Sequence, residues 1–96
     1  MLSKIQEETI RQLNAMSPFN NFRAYFGFKN AGYEGENKLT FIKGKTTYVI
    51  EYNDSLDLYN VKKVRLTKNY DIITEIDEEN IYTDMIFDVL GLSKYL

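Results

Sequence analysis

The sequence predicts an α+β fold with an N-terminal helix, an antiparallel meander sheet of four to five strands and a C-terminal helix, both helices lying on one face of the sheet. Three observations predict it. Apolar residues near the start repeat at helical spacing, the middle is a succession of β-prone runs separated by turn chemistry, and helical spacing returns near the end. No strand–helix–strand alternation calls for parallel crossovers, so consecutive strands pair as a meander. At 96 residues the chain is read as a single domain, 1–96.

The opening helix is placed near residues 3–16. Leu2, Ile5, Thr9, Leu13 and Met16 fall three and four apart, Ile10 widens the stripe, and Lys, Gln, Glu and Arg form the opposite face. Ser3 and Gln6 have capping-box spacing, and Ser17 before Pro18 turns the chain out of the helical region. From Phe19 onward, Phe22, Tyr25, Phe26 and Phe28 supply aromatic β-propensity and predict a strand. Lys29 to Asn37, with Gly32 and Gly35, reads as the longest loop.

Lys38 to Ile42 and Thr46 to Tyr52 are two β-prone runs joined through Gly44, the spacing of a hairpin. Alternation places Leu39 and Phe41 on one face of the first, and Tyr48, Ile50 and Tyr52 on one face of the second, with Glu51 turned away. Leu58 to Thr67 is strand-like, but its apolar phase slips between Val61 and Val64. A bulge at Lys62 and Lys63 would bring Tyr59, Val61, Val64 and Leu66 to the core together. A short strand, Asp71 to Ile76, follows. Asp77, Glu78 and Glu79 then announce the closing helix, whose stripe is Ile81, Tyr82, Met85, Ile86, Val89 and Leu90; Gly91 sits at the left-handed cap position, with Leu92 beyond it.

The chain contains no His and no Cys, which removes disulfides, Cys/His zinc sites, thiol nucleophiles and triads with an imidazole base. The expectation is a protein that is not an enzyme, with no catalytic residues, cofactor or metal. Charged residues interrupt the first fifteen positions and no stretch is apolar enough to span a bilayer, so a cytoplasmic protein without membrane contact is expected.

Several motif fragments fail on context. Gly44, Lys45 and Thr46 match the end of a phosphate-binding loop, but Leu39 stands where its first glycine belongs, and the segment joins two strands rather than a strand and a helix. Gly32 and Gly35 lack the flanking helices of an RNA-clamping turn, and Arg23 to Phe28 lacks the surroundings of a base-stacking strand. Asn53, Asp54, Ser55 and Asp57 lack the glycine and the closing glutamate of a calcium loop. Asn53 to Ser55 also matches a glycosylation acceptor, which a cytoplasmic chain would carry as a polar turn.

Charge is divided along the chain. Residues 1–68 hold eleven Lys or Arg against seven acids, whereas residues 69–96 hold Lys94 against seven acids. Glu75, Asp77, Glu78, Glu79, Asp84 and Asp88 form a candidate protein-binding surface. The alternative is a solvated helix start whose acids offset the macrodipole. Lys43, Lys45, Lys62, Lys63, Arg65 and Lys68 could track phosphates, with Lys62, Lys63, Arg65 and Lys68 as the candidate nucleic-acid-binding residues; the alternative is protection of sheet edges.

Leu39-Thr40-Phe41, Tyr48 to Tyr52, Asp57-Leu58-Tyr59-Asn60-Val61, Glu79-Asn80-Ile81-Tyr82 and Gly91-Leu92 together resemble small proteins of bacterial phages and integrated mobile elements, over roughly residues 19–96. The chain departs from them at Leu90, where Thr often stands, and at Asn20-Asn21, where a Gly pair is common. That group has no assigned activity, cofactor or catalytic residues, so the resemblance implies context only. A phage or mobile-element protein of this kind is expected to bind a host protein and inhibit it, as an anti-CRISPR-type host-defence inhibitor blocks a nucleic-acid-guided nuclease (a CRISPR effector). The other readings are a small nucleic-acid-binding protein using the basic sheet patch, and a self-associating module forming a homodimer.

Overall fold

The computed structural model describes residues 2–96. Its first element is helix α1, Lys4–Ala15, begun by the expected capping box: the Gln6 amide N–H donates to Ser3 Oγ at 3.0 Å while the Ser3 N–H donates to Gln6 Oε1 at 3.0 Å. Gln6, placed by its chemistry on the polar face, is instead fully buried. Its Nε2 donates to the Gly35 carbonyl at 3.2 Å and the Lys38 carbonyl at 3.1 Å, so one amide caps the helix and fastens it to a sheet turn.

The strand expected over Phe19 to Phe28 is a helical segment. A 3-10 turn, Pro18–Asn20, leads into helix α2, Phe22–Tyr25. Asn21 caps α2 through Oδ1, which accepts the Ala24 N–H at 3.1 Å, and Asn14 Oδ1 accepts the Phe22 N–H at 2.9 Å. Phe22 and Phe26, four apart, fall on one helical face and both are buried; this pairing and the two asparagine caps override aromatic strand preference. Gly27, at φ 74°, ends the turn in the left-handed region, and the Phe28 N–H returns to the Arg23 carbonyl at 2.9 Å.

The loop expected over Lys29 to Asn37 contains strand β1, Asn30–Glu34, which pairs antiparallel with β2, Lys38–Lys43. Its local chemistry is that of a turn; the open edge of β2 makes it a strand, as the facing pair Tyr33 and Leu39 records. β2 and β3, Thr46–Asn53, form the expected hairpin with Lys43 opposite Thr46 and Gly44 at φ 59° in the connection. Leu39, Phe41, Tyr48 and Ile50 are buried on one face, with Tyr52 packed beside them.

β4, Leu58–Leu66, pairs with β3 in unbroken register from Asn53–Leu58 to Thr46–Arg65, so the bulge expected at Lys62 and Lys63 is absent from that ladder. Strict alternation keeps Tyr59 and Val61 on the core face and sends Val64 and Leu66 to the other. The irregularities lie instead in the pairing of β4 with β5, Ile72–Ile81. Tyr59 faces Ile81 and Val61 faces Glu78; Lys63 faces Ile76 and Val64 faces Thr74. At each step β5 carries one extra residue.

β5 is longer than the expected Asp71 to Ile76 and absorbs Asp77, Glu78 and Glu79, so the helix expected to start there is a correction. An exposed edge strand tolerates consecutive acids on either side, and Asn80, at φ 60° with its N–H on Asn60 Oδ1 at 3.2 Å, breaks the helical pattern. What remains of the C-terminal helix is a 3-10 turn, Thr83–Met85, and helix α3, Ile86–Val89. Gly91, at φ 72°, and the bond from the Leu92 N–H to the Phe87 carbonyl at 2.8 Å close it as expected, with Leu92 buried.

The sheet order is β1-β2-β3-β4-β5, all antiparallel. The three helices cover one face. Leu13, the phenylalanines and tyrosines of that face, Val61, Ile86, Phe87, Leu90 and Leu92 form one contiguous core. Phe22 is its centre, 4.9 Å from Phe41 in edge contact and 5.5 Å from Phe87 in near-parallel stacking, and in contact with Phe26 and Phe28 as well.

Phe22→Ala is expected to cost about 3–5 kcal/mol in denaturant unfolding, the range for an emptied aromatic core site. Gln6→Ala should cost about 1–3 kcal/mol, because the helix cap loses its returning bond and the Gly35 and Lys38 carbonyls lose a buried donor. Arg11→Ala, which breaks only the exposed pair with Glu8, should leave the midpoint nearly in place.

Candidate functional site

The acidic set does not cluster at a helix start. Glu75, Asp77, Glu78 and Glu79 lie on β5, at the open edge of the sheet, while Asp84 lies in the Thr83–Met85 turn and Asp88 in α3. Two of them are neutralised by the neighbouring strand. Arg65 Nε donates to Glu75 Oε1 at 2.8 Å, and Lys62 Nζ lies 3.9 Å from Asp77 Oδ2. Glu78, Glu79, Asp84 and Asp88 are exposed and, among the described residues, have no ion-pair partner.

The basic set is divided rather than gathered. Lys62 points to the uncovered sheet face and Lys63 to the helix-covered face, with its ammonium 5.7 Å from the Tyr48 ring centroid. Arg65 follows Lys63 in phase but is held by Glu75, and Lys68 sits in the exposed turn between β4 and β5. Alternation along β4 therefore places adjacent cations on opposite faces. Edge protection does not account for Lys62, Lys63 and Arg65 either, since β4 is paired on both sides, whereas Lys43 ends β2 past its last pair with β1, Asn30–Ile42. The acids of β5 occupy the edge instead.

A groove of about 590 Å³ that the sequence did not reveal lies between α1 and the β3–β4 turn, lined by Glu8, Thr9, Gln12, Tyr52, Asp57 and Tyr59 among others. The Tyr59 hydroxyl lies 3.4 Å from Thr9 Oγ1 and donates to Gln12 Oε1 at 3.4 Å, and the Tyr52 hydroxyl donates to Asp57 Oδ1 at 2.5 Å. Tyr52 and Tyr59 face each other across the hairpin, a signal readable once the β3–β4 register is counted. The bond to Asp57 is the main cause that pushes the Tyr52 phenol up to about 12, and Glu8, held first by Arg11 and then by Gln12, falls to about 2.

Neither group is poised near neutrality, and every buried side-chain polar atom among the described residues has a partner. Asn53, Asp54, Ser55 and Asp57 form a hydrogen-bonded turn, with the Ser55 N–H on Asn53 Oδ1 at 3.1 Å; no group of three or more carboxylates among the described residues is arranged to hold a metal ion. No helix among them is long and apolar enough to cross a membrane. Comparison with protein-family models, curated proteins and solved structures finds no match to this chain.

Because the folded chain raises the Tyr52 phenol, the stability it contributes is present below the ordinary tyrosine value of about 10 and is lost as pH rises from there through about 12. An ultraviolet titration should show a late-ionising tyrosine that Tyr52→Phe removes and Asp57→Asn returns toward the ordinary value.

Proposed function

We propose that the protein acts by stoichiometric binding, docking its acidic β5 edge and the following helical segment in a cationic groove of another protein. The single observation that carries this reading is the set of four unpaired carboxylates, Glu78, Glu79, Asp84 and Asp88, with exposed Tyr82 and Met85 interleaved among them. Carboxylates free of local partners give long-range attraction and register, and the exposed apolar side chains supply area that can be dried on contact.

The edge position supports a partner of opposite charge over a second copy of this chain. β5 has one free ladder edge, but two bulges interrupt it and a second copy would bring like charges together. The division of Lys62, Lys63 and Arg65 between two faces likewise weakens the reading of a flat nucleic-acid-binding patch. A groove that normally holds nucleic acid has the chemistry to receive such an edge. With the resemblance to phage and mobile-element proteins, this leads to an inhibitor of a host factor, in its most specific form an anti-CRISPR-type block of a nucleic-acid-guided nuclease.

The immobilised protein should capture a specific partner from bacterial lysate, released by added salt and displaced by nucleic acid. Glu78→Lys, Glu79→Lys and Asp84→Lys combined should reduce capture by at least about tenfold, a like-charge clash replacing three attractions. Capture that is indifferent to these substitutions removes the proposed edge.

A further inference from the structure

A second pocket lies at the end of the sheet away from the groove, on the helix-covered face where the helices stop. It is a half-open hollow of about 590 Å³ between α2, the ends of β2, β3 and β4, and the C-terminal turn Ser93–Tyr95, within the size range of small-molecule sites. Phe26, Phe28 and Leu92 are its apolar parts, and Tyr25, Tyr48 and Tyr95 bring rings and hydroxyls. Tyr25 donates to the Tyr95 carbonyl and ties that turn to α2.

Its two charges are both positive. Lys43 Nζ lies 5.9 Å from the Tyr95 ring centroid and Lys63 Nζ 5.7 Å from that of Tyr48. A Cβ built on Gly27 would lie 3.6 Å from Lys43 Cε, so the lysine stem passes over the glycine that ends α2. Among the described residues neither ammonium has a carboxylate partner, and no acid lines the pocket; the nearby Glu75 is engaged by Arg65. Tyr48 stays a neutral hydroxyl, since burial first, then Tyr95 and Glu75, raise its pKa.

Lys63 occupies a strand paired on both sides, and Lys43 ends β2 just past its last pair with β1, Asn30–Ile42; both lie at the end of a face otherwise given to the core, where packing does not call for a cation. Unpaired ammonium groups beside aromatic rings and an apolar floor match a ligand that joins an anion to a planar ring. We propose that this pocket binds a nucleotide, with Lys43 and Lys63 holding the phosphate and the tyrosine-lined apolar wall receiving the base.

Calorimetric titration with adenosine monophosphate tests it, alongside adenosine, inorganic phosphate and a short single-stranded oligonucleotide. Adenosine monophosphate should bind at least roughly tenfold more tightly than adenosine or phosphate alone, and Lys43→Gln and Lys63→Gln should each weaken it by roughly tenfold, the loss of one charge-assisted contact. Lys62→Gln, on the opposite face, should change nothing. Circular dichroism checks each fold, and Lys43→Gln at the strand end carries the test if Lys63→Gln does not fold. Tighter binding of the oligonucleotide assigns the ligand to a single strand, and equal or weaker binding to a free nucleotide; either outcome supports the site. Absence of binding at millimolar adenosine monophosphate, or binding indifferent to both lysine substitutions, overturns it. The reversal of Glu78, Glu79 and Asp84 should leave nucleotide binding intact, so failure here and failure of the acidic edge are separate results.

Discussion

The fold is organised around the Phe22 ring. It meets Phe41 from the sheet, Phe87 from α3, and Phe26 and Phe28 from its own segment, so three parts of the chain far apart in sequence share one contact centre. Two four-residue helices have too few internal hydrogen bonds to hold themselves, and docking of their phenylalanines on the sheet is what makes them helices at all. Because that docking happens on a single face, the sheet is left with one dry side, one uncovered side and two edges. Those are the places from which function can be drawn.

Polar residues complete what the aromatic cluster begins. α1 is long enough to be begun by its own cap, yet its position depends on Gln6 reaching the turn between β1 and β2. Asn37 ties the same turn to β3, exchanging hydrogen bonds with Tyr52 through its side chain at 2.9 Å and its carbonyl at 3.0 Å. The turn is thereby held from both sides, which explains how β1, with glycine and no strong strand former except Tyr33, stays paired at the sheet edge. Buried amides of this kind are stabilising only because all their partners are present.

Legibility in the sequence followed the range of the interaction. The α1 cap, the β2–β3 hairpin and the Gly91 close are set within a few residues, and each was readable from Ser3 and Gln6, from Gly44 between alternating runs, or from Gly91 and Leu92. Phe22 to Phe28 was not, because aromatic residues favour strands in general and the deciding contacts, Asn14 and Phe87, lie outside the segment. β1 and the acidic half of β5 were hidden for the complementary reason: a strand formed by pairing with an open edge needs no apolar alternation of its own. The candidate surfaces were only half legible. The acids are where their numbers place them, but their division into paired Glu75 and Asp77 and unpaired Glu78 and Glu79 depends on which β4 residues lie across the ladder.

The unbroken β3–β4 register has the largest functional consequence of these differences. A bulge at Lys62 and Lys63 would have turned Val64 and Leu66 inward and enlarged the core. Without it, Val64 and Leu66 face outward, and Lys63 and Arg65 take the inward positions. That exchange is tolerable only where the covering helices end, because there a lysine stem can lie along an aromatic ring while its ammonium stays near water, as Lys63 does over Tyr48. The extra residues are carried by β5 instead, where bending an edge disturbs a ladder on one side alone. Thus a single choice of register separates the charges of the middle of the chain: carboxylates along the free edge, and the uncompensated Lys63 ammonium beside the aromatic end of the core.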